Sequence, residues 1–407
     1  MLAIARKPKL AVVSPFLDKR HGTERRVVEW ISRLTDAFEV HVYSQEVEDL
    51  DLEEITWHRI PKLPGPHLFN FLWWFAANHL RRAWDGRFRG LRYDLVFSPG
   101  INCLDAGVIS VHIVFAQYLA NLRDQLDLKR HSPLAWPTLL HRKLYYALII
   151  SLERRIYGRT DTPLVLIARR TQAELEKFYG RRDACPIVYL GLDHAMFNPE
   201  RRLALRGNAR KEIGIENGRF ALLLVGNDCR NKGFPVLLNA LACLRDLSID
   251  LLLVSREKSA VLQDMAVAKG LDGRVKFLSP RADIDHYYAA ADAYAGPSLE
   301  DTFAQPPAEA MACGLPVIVS SANGASEIIT DGVDGLILQD PRDEKTLATM
   351  VRRLWEDSEL RERLGQSAAV TARQFTWERN ARDLRAIFEE ILLRKASVHA
   401  RTLSQEL

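Results

Sequence analysis

Short runs of aliphatic and β-branched residues alternate along the chain with longer stretches whose apolar residues recur at helical spacing. This alternation is typical of parallel sheets that are covered on both faces by helices. It occurs in two series, separated by a polar and basic stretch at residues 198–212. The predicted strands of the first series are residues 10–14, 39–44, 94–99, 107–112, 163–168 and 186–191. Those of the second series are residues 220–226, 249–255, 274–280, 292–298 and 315–321.

Helices are located by the same spacing of apolar residues. The residues that predict a helix between the first two strands are Val27, Val28, Ile31 and Leu34. After about residue 343 the pattern is wholly helical and ends in an amphipathic stretch at residues 378–395. The apolar residues that share one face of this last helix are Leu384, Phe388, Ile391 and Leu392.

We therefore predict an α/β protein with two Rossmann-like domains that face a cleft. In such sheets ligands bind at the carboxyl ends of the strands. The expected first domain is residues 1–197 and the second is residues 198–376, with the stretch at 198–212 as an interdomain linker. Residues 377–407 are expected to form a C-terminal helix, which crosses back to the first domain, and a tail.

The composition of the chain indicates which partners and which cellular compartment are expected. The 407 residues carry a formal net charge of only +4, which does not indicate nucleic-acid binding. The longest apolar stretch, residues 144–152, is far below the ~20 residues that a membrane-spanning helix needs. The cysteines, whose scattered positions predict neither a zinc site nor a disulfide framework, are Cys103, Cys185, Cys229, Cys243 and Cys313. We therefore expect the protein to reside in the reducing environment of the cytoplasm.

The segment at residues 298–320 carries the strongest chemical signal. A predicted strand ends there, a loop follows with Glu300 and Asp301, and a helix begins near Pro306 or Pro307 with Glu309 in it. The amino terminus of a helix offers backbone amides and a positive dipole end that suit phosphate or sugar oxygens. The carboxylates can accept hydrogen bonds from vicinal hydroxyls. The alternative is an ordinary strand–helix turn whose acids cap the helix.

This segment resembles the Glu-x7-Glu signature of glycosyltransferase family 4, usually written Glu-Gly-Phe-Gly-x-Pro-x-x-Glu-Ala. The residues that match in register are Phe303, Pro306, Glu309, Ala310, Met311, Ala312, Gly314, Pro316 and Val317. Asp301 stands at the first glutamate position, and Thr302 and Ala304 stand at the glycine positions. The resemblance implies that Glu309 binds the donor ribose. It also implies that Asp301, with the backbone amides from Phe303 to Pro306, meets the donor sugar and phosphates.

A second motif lies at residues 222–241, where a predicted strand and polar turn lead into a helix. The family usually has Val-Gly-Arg followed five residues later by Lys-Gly. Gly226, Lys232 and Gly233 match this pattern, and Asn227 replaces the arginine. A similar turn occurs in the lipopolysaccharide core glucosyltransferases of the family. The resemblance implies that Lys232 neutralises the departing diphosphate, with Arg230 as a candidate second cation; the alternative for either residue is a solvated turn side chain.

Three weaker matches involve the first domain and its end. Where the family has Gly-Gly-x-Glu-Arg, the chain has Gly22, Glu24 and Arg25, with His21 in place of the first glycine and able to narrow the cleft. His112 ends a predicted strand, at a place where family members often have a histidine against the donor sugar; a structural histidine is the alternative. The residues that match the family pattern Asn-Gly-Val-Asp-x-x-x-Phe-x-Pro at the domain boundary are Gly191, Asp193, Phe197 and Pro199.

Taken together, the resemblance implies a retaining glycosyltransferase of the two-domain GT-B fold, with no metal or organic cofactor. It implies a nucleotide-sugar donor similar to UDP-glucose, bound by the second domain, and a glycan or lipid-linked envelope acceptor on the first. The expected catalytic residues are His112, Asp301 and Lys232. The expected donor-binding residues are Gly22, Gly226, Asn227, Lys232, Arg281, Phe303, Ala304, Gln305 and Glu309. The alternatives are a nucleotide-sugar epimerase and a catalytically degenerate donor-binding scaffold.

Two acidic pairs have the Asp-x-Asp spacing of a divalent-cation site, and neither is interpreted as one. Asp49 and Asp51 lie in an acidic loop, whereas Asp283 and Asp285 open a predicted helix, where acidic caps are expected.

The segment at residues 69–92 differs in composition from its surroundings. It holds seven Phe or Trp residues, five arginines and a single acid, Asp85. Aromatic and basic residues favour the surface of an anionic membrane, and the residues expected to contact it are Trp73, Trp74, Arg81 and Arg82. The alternatives are a helix with an aromatic core face and, least favoured, single-stranded nucleic acid, so no nucleic-acid partner is predicted. A second basic-flanked apolar helix, residues 141–159, is expected to be core.

Overall fold

The computed structural model describes most of the chain. The described residues are 6–19, 22–121, 126, 132–257 and 259–405, with the backbone alone described at 259 and 398–405. His21 lies outside these ranges. Within them, no helix has the length and apolarity needed to cross a bilayer.

The chain forms two compact units. Unit 1 comprises Met1–Gly191 and Trp377–Leu407, and unit 2 comprises Leu192–Thr376. The chain therefore leaves unit 1 after Gly191 and returns to it at Trp377. The boundaries expected from the sequence were at residues 198 and 377.

Unit 1 is built on a parallel sheet. The strands of this unit are β1 (Lys9–Val13), β2 (Phe16–Leu17), β3 (Glu39–Ser44), β4 (Glu46–Val47), β5 (Ile55–Arg59), β6 (Leu95–Pro99), β7 (Val108–Val111) and β8 (Leu164–Leu166). Six of them form one sheet in the order β5-β3-β1-β6-β7-β8, and β2 pairs with β4 separately. The order reverses between β1 and β6, which is the switch point where doubly wound sheets bind ligands.

Helices connect the strands of unit 1 and cover its sheet. Those before the chain leaves this unit are α1 (Gly22–Leu34), α2 (His67–Phe88), α3 (Phe115–Asn121), α4 (Trp136–Tyr157) and α5 (Arg170–Tyr179). A 3₁₀ turn at Pro133–Ala135 leads into α4. The predicted helix after the first strand is confirmed as α1, which buries Val27, Val28, Ile31 and Leu34.

Unit 2 repeats the same topology. Its strands are β9 (Phe220–Val225), β10 (Ile249–Val254), β11 (Val275–Leu278), β12 (Ala293–Gly296), β13 (Val317–Ser320) and β14 (Leu336–Leu338). They form one parallel sheet in the order β11-β10-β9-β12-β13-β14, so the switch point lies between β9 and β12. Every residue of β9 and β10 is buried, as the continuous apolar runs of the sequence predict for strands covered on both faces.

The helices of unit 2 lie between and after these strands. They are α6 (Pro199–Ile213), α7 (Phe234–Ala242), α8 (Ser259–Ala268), α9 (Asp285–Ala290), α10 (Gln305–Ala312), α11 (Glu344–Glu356) and α12 (Ser358–Ala372). The stretch expected to be an interdomain linker is thus the helix α6. Its arginines are ordered by acids of the same unit: Arg206 and Arg210 both pair with Asp292, at 2.5 and 3.1 Å.

The last helix, α13 (Trp377–Gln405), belongs to unit 1 and packs on α1. Leu384, Phe388 and Ile391 join the same apolar core as the strands β1, β3 and β6. The Phe388 ring lies 5.1 Å from that of Phe97 and 6.1 Å from that of Phe38, measured between centroids. The amphipathic face predicted for this helix is therefore confirmed.

Two features of the sheets differ from the prediction. Residues 186–191 form no regular strand: they pair with β8 only through Leu166 N to Pro186 O and Val188 N to Leu166 O, both 2.8 Å. The strands β2, β4, β5 and β14 were not predicted. The first two have only two residues each, and β5 and β14 lie at sheet edges, where one side of the strand meets no neighbour.

Candidate functional site

Loops from both sides of the switch point in unit 2 meet at the carboxyl ends of β9 and β12. The amide of Leu299 donates to the carbonyl of Asn231 at 2.7 Å, and Nδ2 of Asn231 donates to the carbonyl of Glu300 at 2.8 Å. These bonds join the loop after β9 to the loop after β12. The two loops therefore act as one scaffold for the side chains that they carry.

Lys232 reaches across this scaffold and forms an ion pair with Asp301. Two glycines allow the turn that places it. Gly226 has φ +149°, and a Cβ there would lie 3.0 Å from the Lys232 side chain. Gly233 has φ +83°, and a Cβ there would lie only 2.1 Å from the carbonyl oxygen of Pro297. The backbone can approach the neighbouring loop because neither residue has a side chain.

The loop that carries Asp301 is fixed by Asn323, which is fully buried. Oδ1 of Asn323 accepts from the amides of Ala304 at 3.2 Å and Ala325 at 3.0 Å. Pro306 and Pro307 have no amide hydrogen, so the amino terminus of α10 offers fewer donors than the sequence analysis supposed. Gln305 begins that helix.

Glu309 lies in α10 and is almost entirely buried. The hydroxyl of Tyr288, which is also buried, donates to Oε2 of Glu309 at 2.7 Å. Burial, with the Glu309 carboxylate beside it, raises the pKa of Tyr288 well above its ordinary value. Tyr288 therefore stays a hydrogen-bond donor and fixes the direction of the Glu309 carboxylate.

Three further candidates of unit 2 lie around this scaffold. Oδ1 of Asn227 accepts from the amide of Arg256 at 2.9 Å, so this side chain stabilises the neighbouring loop after β10. Arg281 follows β11 and is held by Asp283 at 2.6 Å and Glu212 at 2.7 Å. Phe303 is buried. The structure thus pairs Lys232 with Asp301, places Ala304 and Glu309 on the loop and helix that follow Asp301, and gives Arg281 carboxylate partners of its own.

Unit 1 contains a cavity of about 520 Å³. Ser14 and Thr23, after β1, and Gly100, after β6, lie in its lining, so the cavity is at the switch point of this sheet. Gly22 begins α1 immediately beside it. The apolar and aromatic part of its wall includes Phe16, Phe71, Trp74, Ile101, Phe115 and Tyr145. The polar part includes Gln45, Lys62, Asn70 and Asn102.

His112 also lines this cavity, with both ring nitrogens bonded. Nδ1 is 3.0 Å from Nη1 of Arg26, and Nε2 is 2.8 Å from Oγ of Ser110. Because arginine can only donate, Nδ1 accepts and Nε2 carries the proton. Burial, and then the charge of Arg26, hold the pKa of His112 well below its usual range. His112 is therefore a neutral, fixed group.

A buried carboxyl group fixes part of the wall of the cavity in unit 1. Glu153 of α4 accepts from the amides of Phe115 at 2.9 Å and Ala116 at 3.2 Å, at the amino terminus of α3, and from the hydroxyl of Tyr179. Burial raises the pKa of Glu153 to about 7. The position of Phe115 in the cavity wall thus depends on a titratable group.

Comparison with known proteins identifies the family. A family model described as glycosyl transferases group 1 matches residues 206–371, and one described as glycosyltransferase family 4 matches residues 20–195. Together these two models cover most of the chain. The chain belongs to glycosyltransferase family 4.

Relatives of this family 4 chain include two bacterial D-inositol 3-phosphate glycosyltransferases. That of Corynebacterium kroppenstedtii is 31% identical over 256 residues, which are 59% of this chain and 55% of the relative. That of Salinispora tropica is 31% identical over 258 residues, 58% of this chain and 52% of the relative. The chain thus spans about half the length of these relatives.

Solved structures show the GT-B fold. WaaG, a glycosyltransferase involved in lipopolysaccharide biosynthesis, superimposes with a TM-score of 0.74 at 21% identity, covering 93% of this chain and 99% of its own. Sucrose-phosphate synthase from Thermosynechococcus elongatus superimposes with a TM-score of 0.75 at 18% identity, covering 95% of this chain and 100% of its own. Anabaena HepE, solved in complex with UDP and glucose, superimposes with a TM-score of 0.68 at 20% identity, covering 94% of this chain and 99% of its own.

Three residues that hold the candidate groups in place were missed by the sequence analysis: Tyr288 and Asn323 in unit 2, and Arg26 in unit 1. Each acts through a residue on another element, so no local motif marks it. Arg26 alone had a signal, since it is a charged residue beside the buried face of α1. Within the described ranges, no group of three or more His, Cys, Asp or Glu side chains is arranged to hold a metal ion.

Proposed function

We propose that this protein is a retaining glycosyltransferase that moves a hexose from a nucleoside diphosphate sugar to a glycan or lipid-linked acceptor. The observation that carries the proposal is the cluster at the switch point of unit 2. There an ammonium, Lys232, and two carboxylates, Asp301 and Glu309, stand on loops and a helix that are bonded to one another. Such a cluster offers a cation for a diphosphate and acceptors for vicinal hydroxyls.

Each group has a defined part in this proposal. Lys232 offsets the negative charge that grows on the diphosphate as the glycosidic bond stretches. Glu309, oriented by Tyr288, accepts from the ribose hydroxyls. Asp301 accepts from hydroxyls of the hexose. No step requires a metal. His112, neutral and bonded on both sides, is a fixed polar group of the cavity in unit 1 and not a general base.

The donor class is proposed from the resemblance and from one neighbour. HepE was solved with UDP-glucose, which favours UDP-glucose or a similar hexose donor here. For the acceptor, the wall of the cavity in unit 1 is largely aromatic and aliphatic, and its Lys62 is already paired with Glu46 at 2.8 Å. This favours an acceptor with an apolar portion. Inositol 3-phosphate, which the names of the relatives contain, is the contrasting candidate.

An apolar surface on unit 1 supports a membrane-bound acceptor. Of the seventeen exposed large apolar side chains in the described ranges, nine lie on α2, α4 or the turn before α4: Phe69, Leu72, Leu80, Trp84, Phe88, Leu134, Trp136, Leu140 and Leu144. The two helices pack together, since the ring of His67 lies 4.6 Å from that of Tyr145. Arg81 and Arg89 lie over Trp84 at 5.5 and 4.9 Å.

We propose that this α2–α4 surface lies against the inner face of an anionic membrane. The prediction of membrane contact is wrong for two residues, Trp74 and Arg82, because both are buried. Trp74 donates a hydrogen bond to Asn102, and Arg82 forms an ion pair with Asp105. The helix expected at 141–159 to be core places Ile149, Ile156 and Tyr157 in an apolar core of unit 1, and its Leu144 is exposed on the opposite side.

Transfer is tested directly with the purified chain, a panel of nucleotide sugars and both acceptor classes, with products identified by mass spectrometry. Lys232→Ala and Glu309→Ala should each lower turnover at least about 100-fold. Lys211→Ala, which removes an exposed lysine of α6, should leave it unchanged. Turnover close to that of the unaltered chain in both site variants would contradict the assignment. A changed sugar nucleotide formed without acceptor would indicate an epimerase, and donor binding without turnover would indicate a scaffold.

Membrane contact has its own test. Replacing Trp84, Phe88 and Leu144 with serine should abolish sedimentation with phosphatidylglycerol vesicles and leave donor binding intact. The matched control replaces Val333 and Val370, two exposed apolar residues of unit 2, and should sediment as the unaltered chain does. Equal sedimentation of both variants would refute the membrane proposal.

A further inference from the structure

The ion pair between Lys232 and Asp301 occupies the place at which the proposed function seats the donor diphosphate. The side chains come from opposite sides of the switch point, after β9 and after β12. They are largely withdrawn from solvent, with 20% and 15% of each side chain exposed. A diphosphate that reaches Lys232 must therefore compete with a carboxylate that already holds it.

We infer that Asp301 makes the site discriminate between the sugar-bearing donor and the free nucleoside diphosphate. The inference rests on the proposed function. Either ligand separates Lys232 from Asp301 and leaves the carboxylate close to negative phosphates, which is unfavourable. The donor also brings hexose hydroxyls, which donate to the released carboxylate and offset this loss. The free diphosphate has no such group, so it binds against the full strength of the ion pair.

The backbone around Asp301 permits this exchange of partners without a movement of the loop. The amide of Asp301 donates to the carbonyl of Ala322 at 3.1 Å, and its carbonyl accepts from the amide of Gly324 at 3.0 Å. Asn323 holds the following turn through Ala304. With the main chain fixed on both sides, the carboxylate can change partner by rotation of a short side chain alone.

A consequence follows for turnover. The free nucleoside diphosphate is the product of the transfer that we propose. Once the hexose has left, Asp301 loses its hydroxyl partners and returns to Lys232, which weakens the hold on the product. Asp301 thus favours binding of the donor and release of the product from the same site.

The test compares two ligands in two variants by calorimetry. Uridine, guanosine and adenosine diphosphates and their glucose esters are titrated into the unaltered chain, and the pair that binds is then titrated into Asp301→Asn and Asp246→Asn. Asp246 is the matched control, because it forms an exposed ion pair with Arg352 at 3.0 Å just before β10, at the opposite end of the sheet. Asp301→Ala repeats the measurement with a second side chain.

In Asp301→Asn and Asp301→Ala we expect the free diphosphate to bind roughly three- to tenfold tighter, the gain from removing a partly exposed ion pair. The glucose ester should bind equally well or more weakly, and Asp246→Asn should change neither affinity by more than about twofold. An equal change for both ligands, or weaker binding of the free diphosphate, would overturn the inference and leave the proposed function standing. If none of the six ligands binds the unaltered chain, the proposed function fails and the inference fails with it.

Discussion

The buried carboxyl of Glu153 makes the stability of unit 1 depend on pH in a way that can be measured. Burial raises its pKa from the ordinary value of 4.5 to about 7. Between these two values the folded protein retains a proton that the unfolded chain has released. The contribution of Glu153 to stability is therefore fully present below pH 4.5 and is lost as the pH rises through 7. A shift of this size corresponds to about 3 kcal/mol of unfolding free energy.

Glu153→Gln isolates this contribution, because glutamine does not titrate. Its single oxygen replaces only one of the two carboxyl oxygens that accept from the amides of Phe115 and Ala116, and the bond that is lost lowers stability equally at every pH. We expect the stability of the unaltered chain, relative to the variant, to fall by about 3 kcal/mol between pH 4.5 and about 7.5. Groups that titrate in both proteins cancel in the difference. One of them is His58, whose pKa burial lowers to about 4.

Urea unfolding followed by tryptophan fluorescence, repeated at several pH values, measures this difference. Seven of the eight tryptophans belong to unit 1, and Trp355 alone belongs to unit 2, so the signal reports mainly the unit that contains Glu153. Parallel pH profiles for the two proteins would refute the reasoning, since they would mean that Glu153 is ionised in both the folded and the unfolded states.

Two further predictions concern unit 2. Tyr288→Phe removes only the hydroxyl that donates to Glu309 and should weaken donor binding by about 1.5–3 kcal/mol in calorimetry; unchanged affinity would remove Tyr288 from the site. Gly233→Ala places a Cβ against Pro297 at positive φ and should destabilise unit 2 by more than about 3 kcal/mol in urea. Gly218→Ala, at φ +81° but in open space, should lose only about 1 kcal/mol, and similar losses in both would contradict the steric argument.

Much of the fold follows from the sequence because both sheets are covered on two faces. Their central strands are continuous apolar runs, such as residues 220–225, and these are difficult to mistake. The edge strands β5 and β14 lack that signal. The helix α6 was mistaken for a linker because it buries little apolar surface and is held by ion pairs to residues more than eighty positions away.

The site was predictable only as far as its chemistry is local in the chain. The spacing of Asp301 and Glu309 and the glycines around Lys232 are visible in short motifs. Tyr288 donates to Glu309 from another helix, and no pattern within either segment indicates that contact. Composition alone also placed Trp74 on the surface, although helical geometry turns it inward toward Asn102.

The return of α13 to unit 1 has a consequence for synthesis on the ribosome. Unit 2 is continuous in sequence, whereas unit 1 needs Leu384 and Phe388 to complete its core. At about 5–20 residues per second, the first 191 residues wait roughly 10 to 40 s for that helix. Throughout this interval the residues that pack on Phe388, such as Phe38 and Phe97, lack that contact. The second half of the protein can thus finish folding before the first, and a chaperone has a defined face to protect.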